Sequence, residues 1–198
     1  MTDTNKTAES LPLYHIDHTL YQGRPADLSG RLEKEIRAYD LLDSLGVPYT
    51  RVDHDALPTI EACLEVDRLL GAEICKNLFL RNAQKTEFYL LLMPGNKKFK
   101  TAVLSKQIGS ARLSFGEPDF MEQFMDLTPG SVTVLGLMND KESRVRLLID
   151  KDVLDSGFFG CHPCMNTSSI LLRTRDLVDK ILPAMGHPYT VVDLPYAE

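Results

Sequence analysis

The residues with the most chemistry in this sequence lie in FFGCHPCMNTSS, 158–169, where Cys161 and Cys164 enclose His162 and Pro163. Three chemistries suit such a stretch: a dithiol redox pair, half of a zinc site, or a working histidine. A redox pair needs its first cysteine at the start of a helix, where the dipole stabilises the thiolate. The residues after Cys164, MNTSSILLRT, read instead as a strand. A structural zinc site needs a second ligand pair. Cys63 and Cys75 fall on different expected elements, and neither has a Cys or His partner at a two-residue gap. The plain reading makes all four cysteines reduced packing thiols. His162 is then the residue to watch, in a loop that Pro163 stiffens because it fixes φ and lacks an N–H. A lone histidine is more often structural than catalytic, so it needs partners.

Two other stretches supply candidates. ICKNLFLRN, 74–82, reads as a strand with Lys76 and Asn77 at its start. Alternation puts Leu78 and Leu80 on the Lys76 face, and Phe79 and Arg81 on the Asn77 face. The lysine could snorkel to solvent. A cation beside a carboxamide also suits a phosphate or an ester carbonyl. LTPGSVTVLG, 127–136, is either an ordinary turn into a hairpin or a loop whose backbone N–H groups approach a ligand closely, as glycine permits.

These candidates need elements to position them. Leu32, Ile36, Tyr39, Leu42 and Leu45 recur at helical spacing and stop at Gly46. A strand at 47–54 follows, then a helix over 58–71 with Thr59 as N-cap and Gly71 as its stop. The runs 74–82 and 87–94 predict a hairpin across AQKT. A basic, partly helical segment spans 94–109, a short strand or loop 111–115, and a helix 118–126. The runs 131–138 and 144–150 predict a second hairpin, 167–174 another strand, and the C-terminus a helix and a last strand. The expected class is α/β of the α+β type: a mixed, mostly antiparallel sheet or partial barrel with helices packed around it. Residues 1–30 are expected to form an N-terminal arm, and 31–198 a single domain.

Composition sets the outer limits. With 198 residues, 43% hydrophobic and 25% charged, the chain can bury a sizeable core. Its longest apolar runs are too short to span a bilayer, and its polar N-terminus carries no signal-like core, so the expected location is the cytoplasm, away from membranes. A net charge of −6 speaks against a broad nonspecific nucleic-acid binder but allows a local basic patch.

Taken in order, ICKNLFLRN, QIGSARLSFG, LTPGSVTVLG and GCHPCMNTSS resemble the bacterial prolyl-tRNA editing-domain family, free-standing YbaK-like relatives of the editing insertion of prolyl-tRNA synthetase. The resemblance runs from about Val47 to the C-terminus. It implies a YbaK-like fold and a deacylase that hydrolyses mischarged tRNA(Pro), chiefly alanyl-tRNA(Pro), in trans. It implies Lys76, Asn77 and His162 as catalytic residues. The substrate loop maps onto Gly130, Ser131, Val132, Thr133 and Gly136, joined by Asn166. Val134 stands where the family loop usually has proline, a departure that bears on loop stiffness. The basic residues Lys97, Lys98, Lys100, Lys106 and Arg112 become candidate contacts for acceptor-stem phosphates; otherwise they are a solvated surface. The partners implied are the acceptor end of mischarged tRNA(Pro) and prolyl-tRNA synthetase, with no metal and no cofactor. An aminoacyl ester is already activated, so water, positioning and oxyanion stabilisation suffice. The rival from another class is a non-catalytic sensor of aminoacyl-tRNA or amino acid; a thiol redox protein would need a helix starting at Cys161.

Overall fold

The computed structural model describes residues 14–57 and 59–196. The chain runs through β1 (Tyr21–Gln22), α1 (Glu33–Ser44), β2 (Thr50–Asp53), α2 (Ile60–Leu70), β3 (Lys76–Asn82), β4 (Phe88–Met93), α3 (Thr101–Ile108) and β5 (Leu113–Phe115). It continues with α4 (Pro118–Met125), a three-ten turn (Val134–Asn139), β6 (Val145–Asp150), α5 (Lys151–Asp155), β7 (Phe158–Cys161) and β8 (Ser168–Arg173). A helical run through Thr174–Asp176, Leu177–Ile181 in π geometry, and Leu182–Met185 precedes β9 (Tyr189–Val192).

β4 is buried at every position. Such a strand needs apolar layers on both faces. It therefore sits at the centre of a five-stranded sheet ordered β5-β3-β4-β6-β9. One face carries Phe79, Leu90, Leu92, Leu147 and Ile149 into the main core, which reaches across to Phe159, Ile170 and Leu172 of a second sheet ordered β1-β2-β8-β7. The other face carries Leu80, Leu91 and Leu148 against Leu104 of α3. Val66 and Leu70 of α2 close the outer face of the second sheet over Val52. The described residues thus form two sheets, the four-stranded one antiparallel and the five-stranded one mixed, with helices around them and no closed barrel among them.

Local signals behave as expected where they are strong. Thr59 caps α2 by accepting from the Ala62 N–H at 3.2 Å, and Gly71 ends it with φ +75. Residues 14–30 lie against the body: Ile16 bridges His54 and is buried, and β1 pairs with β2.

The second predicted hairpin does not form. Residues 134–139 coil as the three-ten turn, and β6 pairs in parallel with β4 and β9. Alternating apolar residues describe a buried strand without saying which neighbour it takes. On α1 the buried face includes Glu35, while Leu32 is exposed. Glu35 is held there by Arg31 and by the Tyr39 hydroxyl at 2.9 Å.

Candidate active site

One close approach between the sheets assembles the site. Ile74, two residues before β3, makes a parallel bridge with Gly160 of β7. A Cβ at position 160 would lie 3.1 Å from both Cα and Cγ1 of Ile74, so a side chain there would push the strands apart. The contact brings the start of β3 beside the end of β7, and Asn77 beside His162. Ile74, Cys75, Asn77, Gly130, Val132 and His162 together line a cleft of about 210 Å³.

Asn77 lines the cleft and carries an unpaired buried acceptor. Its amide nitrogen donates to the Cys75 carbonyl at 3.0 Å, and its Oδ1 is buried with no partner among the described residues. An orphaned buried acceptor costs about 1–3 kcal/mol, so a ligand N–H or O–H that reaches it gains correspondingly.

His162 follows β7. Its Nδ1 lies 2.9 Å from the Ser168 carbonyl oxygen. A carbonyl only accepts, so Nδ1 carries the proton and Nε2 keeps its lone pair. Burial holds the imidazole below its ordinary pKa, the Ser168 hydrogen bond opposes this, and His54 nearby adds to the lowering. The ring is therefore neutral at pH 7, with Nε2 as an acceptor.

The 127–136 loop alternates. Gly130 and Val132 line the cleft, while Ser131 and Thr133 turn inward and are buried. The Ser131 hydroxyl donates to the Thr128 carbonyl at 2.8 Å, and Thr133 Oγ1 accepts from the Leu135 N–H at 3.4 Å. Gly130 has φ +88, and a Cβ on it would meet Asn166 Nδ2 at 3.3 Å. The N–H groups of Gly130 and Val132 make no backbone hydrogen bond among the described residues. Gly136 faces the core, where a Cβ would strike Leu127 Cδ1 at 2.5 Å. Val134 is fully buried and packs in the main core. Ser131, Thr133 and Gly136 thus shape the loop from behind, and Gly130 and Val132 meet the cleft.

Lys76 is not in the cleft. Pleat alternation turns it to the opposite sheet face from Asn77, where its exposed ammonium donates to the Gly95 carbonyl and lies 3.4 Å from that of Lys97. Lys98, Lys100, Lys106 and Arg112 are exposed and form no ion pair among the described residues. Three of them lie on or beside α3, which covers that same face.

Lys97 departs from its expected role. Its side chain is fully buried, and Nζ sits 2.8 Å from Asp150, 2.8 Å from Asp152 and 3.2 Å from Asp193. Burial disfavours its charge, yet the hydrogen bonds it donates to those three carboxylates more than offset this and hold its pKa above the ordinary value. An ammonium so enclosed cannot reach a phosphate.

The cysteines offer no thiolate. Cys161 ends a strand rather than starting a helix, and burial pushes its thiol up to about 12. Burial also raises Cys164, with the Cys161 sulfur adding to the effect. Cys164 adopts φ +63, one of the few non-glycine left-handed residues.

Two polar residues behind His162 were missed from sequence. His54 and Ser169 are both buried, and Ser169 Oγ lies 2.9 Å from His54 Nε2 and 3.4 Å from His162 Nδ1. Only the end of a strand, VDH, hinted that His54 faced inward.

The chain's residues 54–180 match the aminoacyl-tRNA editing domain. It is 33% identical over 153 residues to the prolyl-tRNA editing protein ProX of Acetoanaerobium sticklandii, covering 77% of this chain and 93% of that one. It is 26% identical to the prolyl-tRNA synthetase associated domain-containing protein 1 of Danio rerio, over 78% of this chain and 81% of that one. A solved candidate trans-editing enzyme for prolyl-tRNA synthetase superposes with a TM-score of 0.60 at 17% identity, covering 84% of this chain and 99% of that one. At that identity the superposition speaks for the fold alone.

Proposed function

The chain belongs to the aminoacyl-tRNA editing domain family, and from that premise we propose that it is a free-standing deacylase of mischarged tRNA(Pro), acting chiefly on alanyl-tRNA(Pro). The observation that carries this is the convergence, in one small cleft, of Asn77, His162 and the backbone at Gly130 and Val132. Such a set needs neither a nucleophile nor a thiolate. It can hold an ester and a water.

In this reading the neutral His162 accepts from the substrate ammonium through Nε2. Asn77 orients the attacking water towards the carbonyl carbon. The N–H groups of Gly130 and Val132 donate to the oxyanion as it forms, an arrangement in which a single donor is worth about 10²–10³ in rate. The neighbouring ribose hydroxyl of the substrate relays the proton, taking one from the attacking water as it passes its own to the departing oxygen. Lys76, next to Asn77 in β3 but on the other face of the sheet, binds the phosphate of the terminal nucleotide. Lys98, Lys100, Lys106 and Arg112 continue that contact along the acceptor stem. Prolyl-tRNA synthetase is the enzyme whose errors it would correct.

Selectivity comes from exclusion. A cleft that merely preferred a larger side chain would gain about 1–3 kcal/mol per methylene and would favour the cognate ester. A small cleft walled by Val132 and the 130–136 loop instead clashes with the proline ring.

The test is initial hydrolysis rate on alanyl-, seryl- and prolyl-tRNA(Pro). Alanyl ester should be cleaved fast, seryl slowly and prolyl hardly at all, and Lys76→Ala should lose most activity while melting like wild type. Prolyl ester cleaved as fast as alanyl ester, or full activity in Lys76→Ala, would overturn the reading.

A further inference from the structure

We infer that His54 is a positioning residue for His162, acting through the Ser169 hydroxyl. This rests on the reading of His162 as a substrate-binding group. His54 lies just past β2, where its N–H donates to the Thr167 carbonyl at 3.0 Å and its backbone bridges Ile16. The ring is therefore fixed by main chain on both sides.

Its hydrogen bonds run in one direction. Nδ1 is 2.7 Å from the Asp55 carbonyl oxygen, which cannot donate, so Nδ1 carries the proton. His54 Nε2 is then an acceptor, and the Ser169 hydroxyl 2.9 Å away must donate to it. A serine hydroxyl has one proton. With that proton committed, Ser169 turns lone pairs towards its other neighbour, His162 Nδ1, at 3.4 Å. The Ser168 carbonyl at 2.9 Å presents lone pairs to the same nitrogen. His162 Nδ1 is thus required to be the N–H, and Nε2 is left unprotonated as the acceptor for the substrate. The opposite tautomer would set the Nδ1 lone pair against two acceptors in a buried site, where unsatisfied groups are expensive.

The two rings stand edge to face, with centroids 6.3 Å apart. A second proton on one imidazole is therefore disfavoured by a charge on the other. The charged groups facing His54 are Asp53 and Asp55, and the titratable group facing His162 is His54. A purely packing role would be served as well by an apolar side chain; the directional chain would not.

The experiment uses the full chain, wild type and as Ser169→Ala, His54→Leu and His54→Gln. The first readout is the imidazole ¹⁵N spectrum, which reports tautomer directly. Wild-type His162 should be the Nδ1–H tautomer near neutral pH. Ser169→Ala leaves Nδ1 with the Ser168 carbonyl as its one acceptor and should raise the Nε2–H fraction measurably, His54→Leu frees the Ser169 proton to donate to Nδ1 and should raise it further, and His54→Gln, whose amide can still accept from Ser169, should restore the wild-type pattern. The second readout is deacylation of alanyl-tRNA(Pro): kcat/KM should fall about tenfold in the first two variants, the low end for residues that orient a ligand-holding histidine, with the loss chiefly in KM because Nε2 holds the substrate amine. In His54→Leu the acid limb of the rate profile should move to higher pH. Unchanged His162 tautomer in both Ser169→Ala and His54→Leu overturns the inference, and normal deacylation in both then leaves the deacylase reading standing. A tautomer that responds in a wild-type protein cleaving no ester sinks the deacylase reading and upholds the positioning role.

Discussion

Lys97→Met separates a buried ion cluster from a tRNA-binding surface. Lys97 and Asp150 are both fully buried, and their N–O distance is 2.8 Å. Removing one partner of such a pair costs about 3–5 kcal/mol, because the other charge is left behind in the interior. Asp150 is not stranded completely: it also accepts from the N–H groups of Asp152 at 3.0 Å and Leu194 at 2.9 Å. Those bonds place the expected loss near the low end, about 3 kcal/mol. For a domain of this size, about 2–4 °C is lost per kcal/mol, so the melting temperature should fall by roughly 6–12 °C. The double variant Lys97→Met with Asp150→Asn removes the stranded charge and should recover much of that. The assay is thermal unfolding alongside tRNA binding over a salt series at a temperature where both proteins are folded. Lys97→Met should leave the salt slope unchanged. Lys100→Ala with Lys106→Ala should melt normally and reduce the slope by about two, nearly one for each phosphate no longer neutralised. A Lys97→Met protein that melts like wild type, or one that binds tRNA with a shallower salt slope, refutes the reasoning.

Gly160→Ala should cost about 1–3 kcal/mol by overpacking the Ile74 contact, and should lower deacylation more than stability explains because Asn77 and His162 move apart; equal rates for variant and wild type in a folded protein would count against the Ile74–Gly160 contact as the organiser of the site. Val134→Pro should stabilise by about 0.4–1 kcal/mol, since Val134 opens the three-ten turn and Thr133 before it is extended (φ −151, ψ 150), the backbone that proline demands of its neighbour; a drop in melting temperature would show that the buried ring does not fit. Burial holds His54 and His162 below the ordinary histidine pKa of about 6.5. The unfolded chain therefore binds more protons than the folded one below that pH. Stability should be full above about 6.5 and decline as pH falls towards the folded values. Chemical denaturation at several pH values would show it, and the acid limb of kcat/KM should lie in the same range; a rate still flat well below the folded values would exclude neutral His162 from the mechanism.

Short-range signals in the sequence were reliable here. Thr59 and Gly71 bounded α2 because a hydroxyl cap and a left-handed stop act within one turn of chain. The β3–β4 hairpin was legible because its strands are joined by a turn of a few polar residues, and the resemblance of four short blocks singled out Asn77, Gly130 and His162 as candidates, which the fold brings to one cleft. Alternation even put Lys76 and Asn77 on opposite faces of β3.

What tertiary structure decided was everything that depends on a distant partner. Lys97 looked like one cation in a basic run, and only the arrival of Asp150 and Asp193 from far along the chain buried it. The strand β6 reads the same whether it pairs with its predecessor in a hairpin or in parallel with β4 and β9, because periodicity records burial and not the neighbour. His54 and Ser169 are 115 positions apart, and neither has a local reason to matter. They become a unit because β2 and β8 are hydrogen-bonded neighbours, so the His54–Ser169 contact behind His162 comes from a strand pairing that no short window of sequence contains.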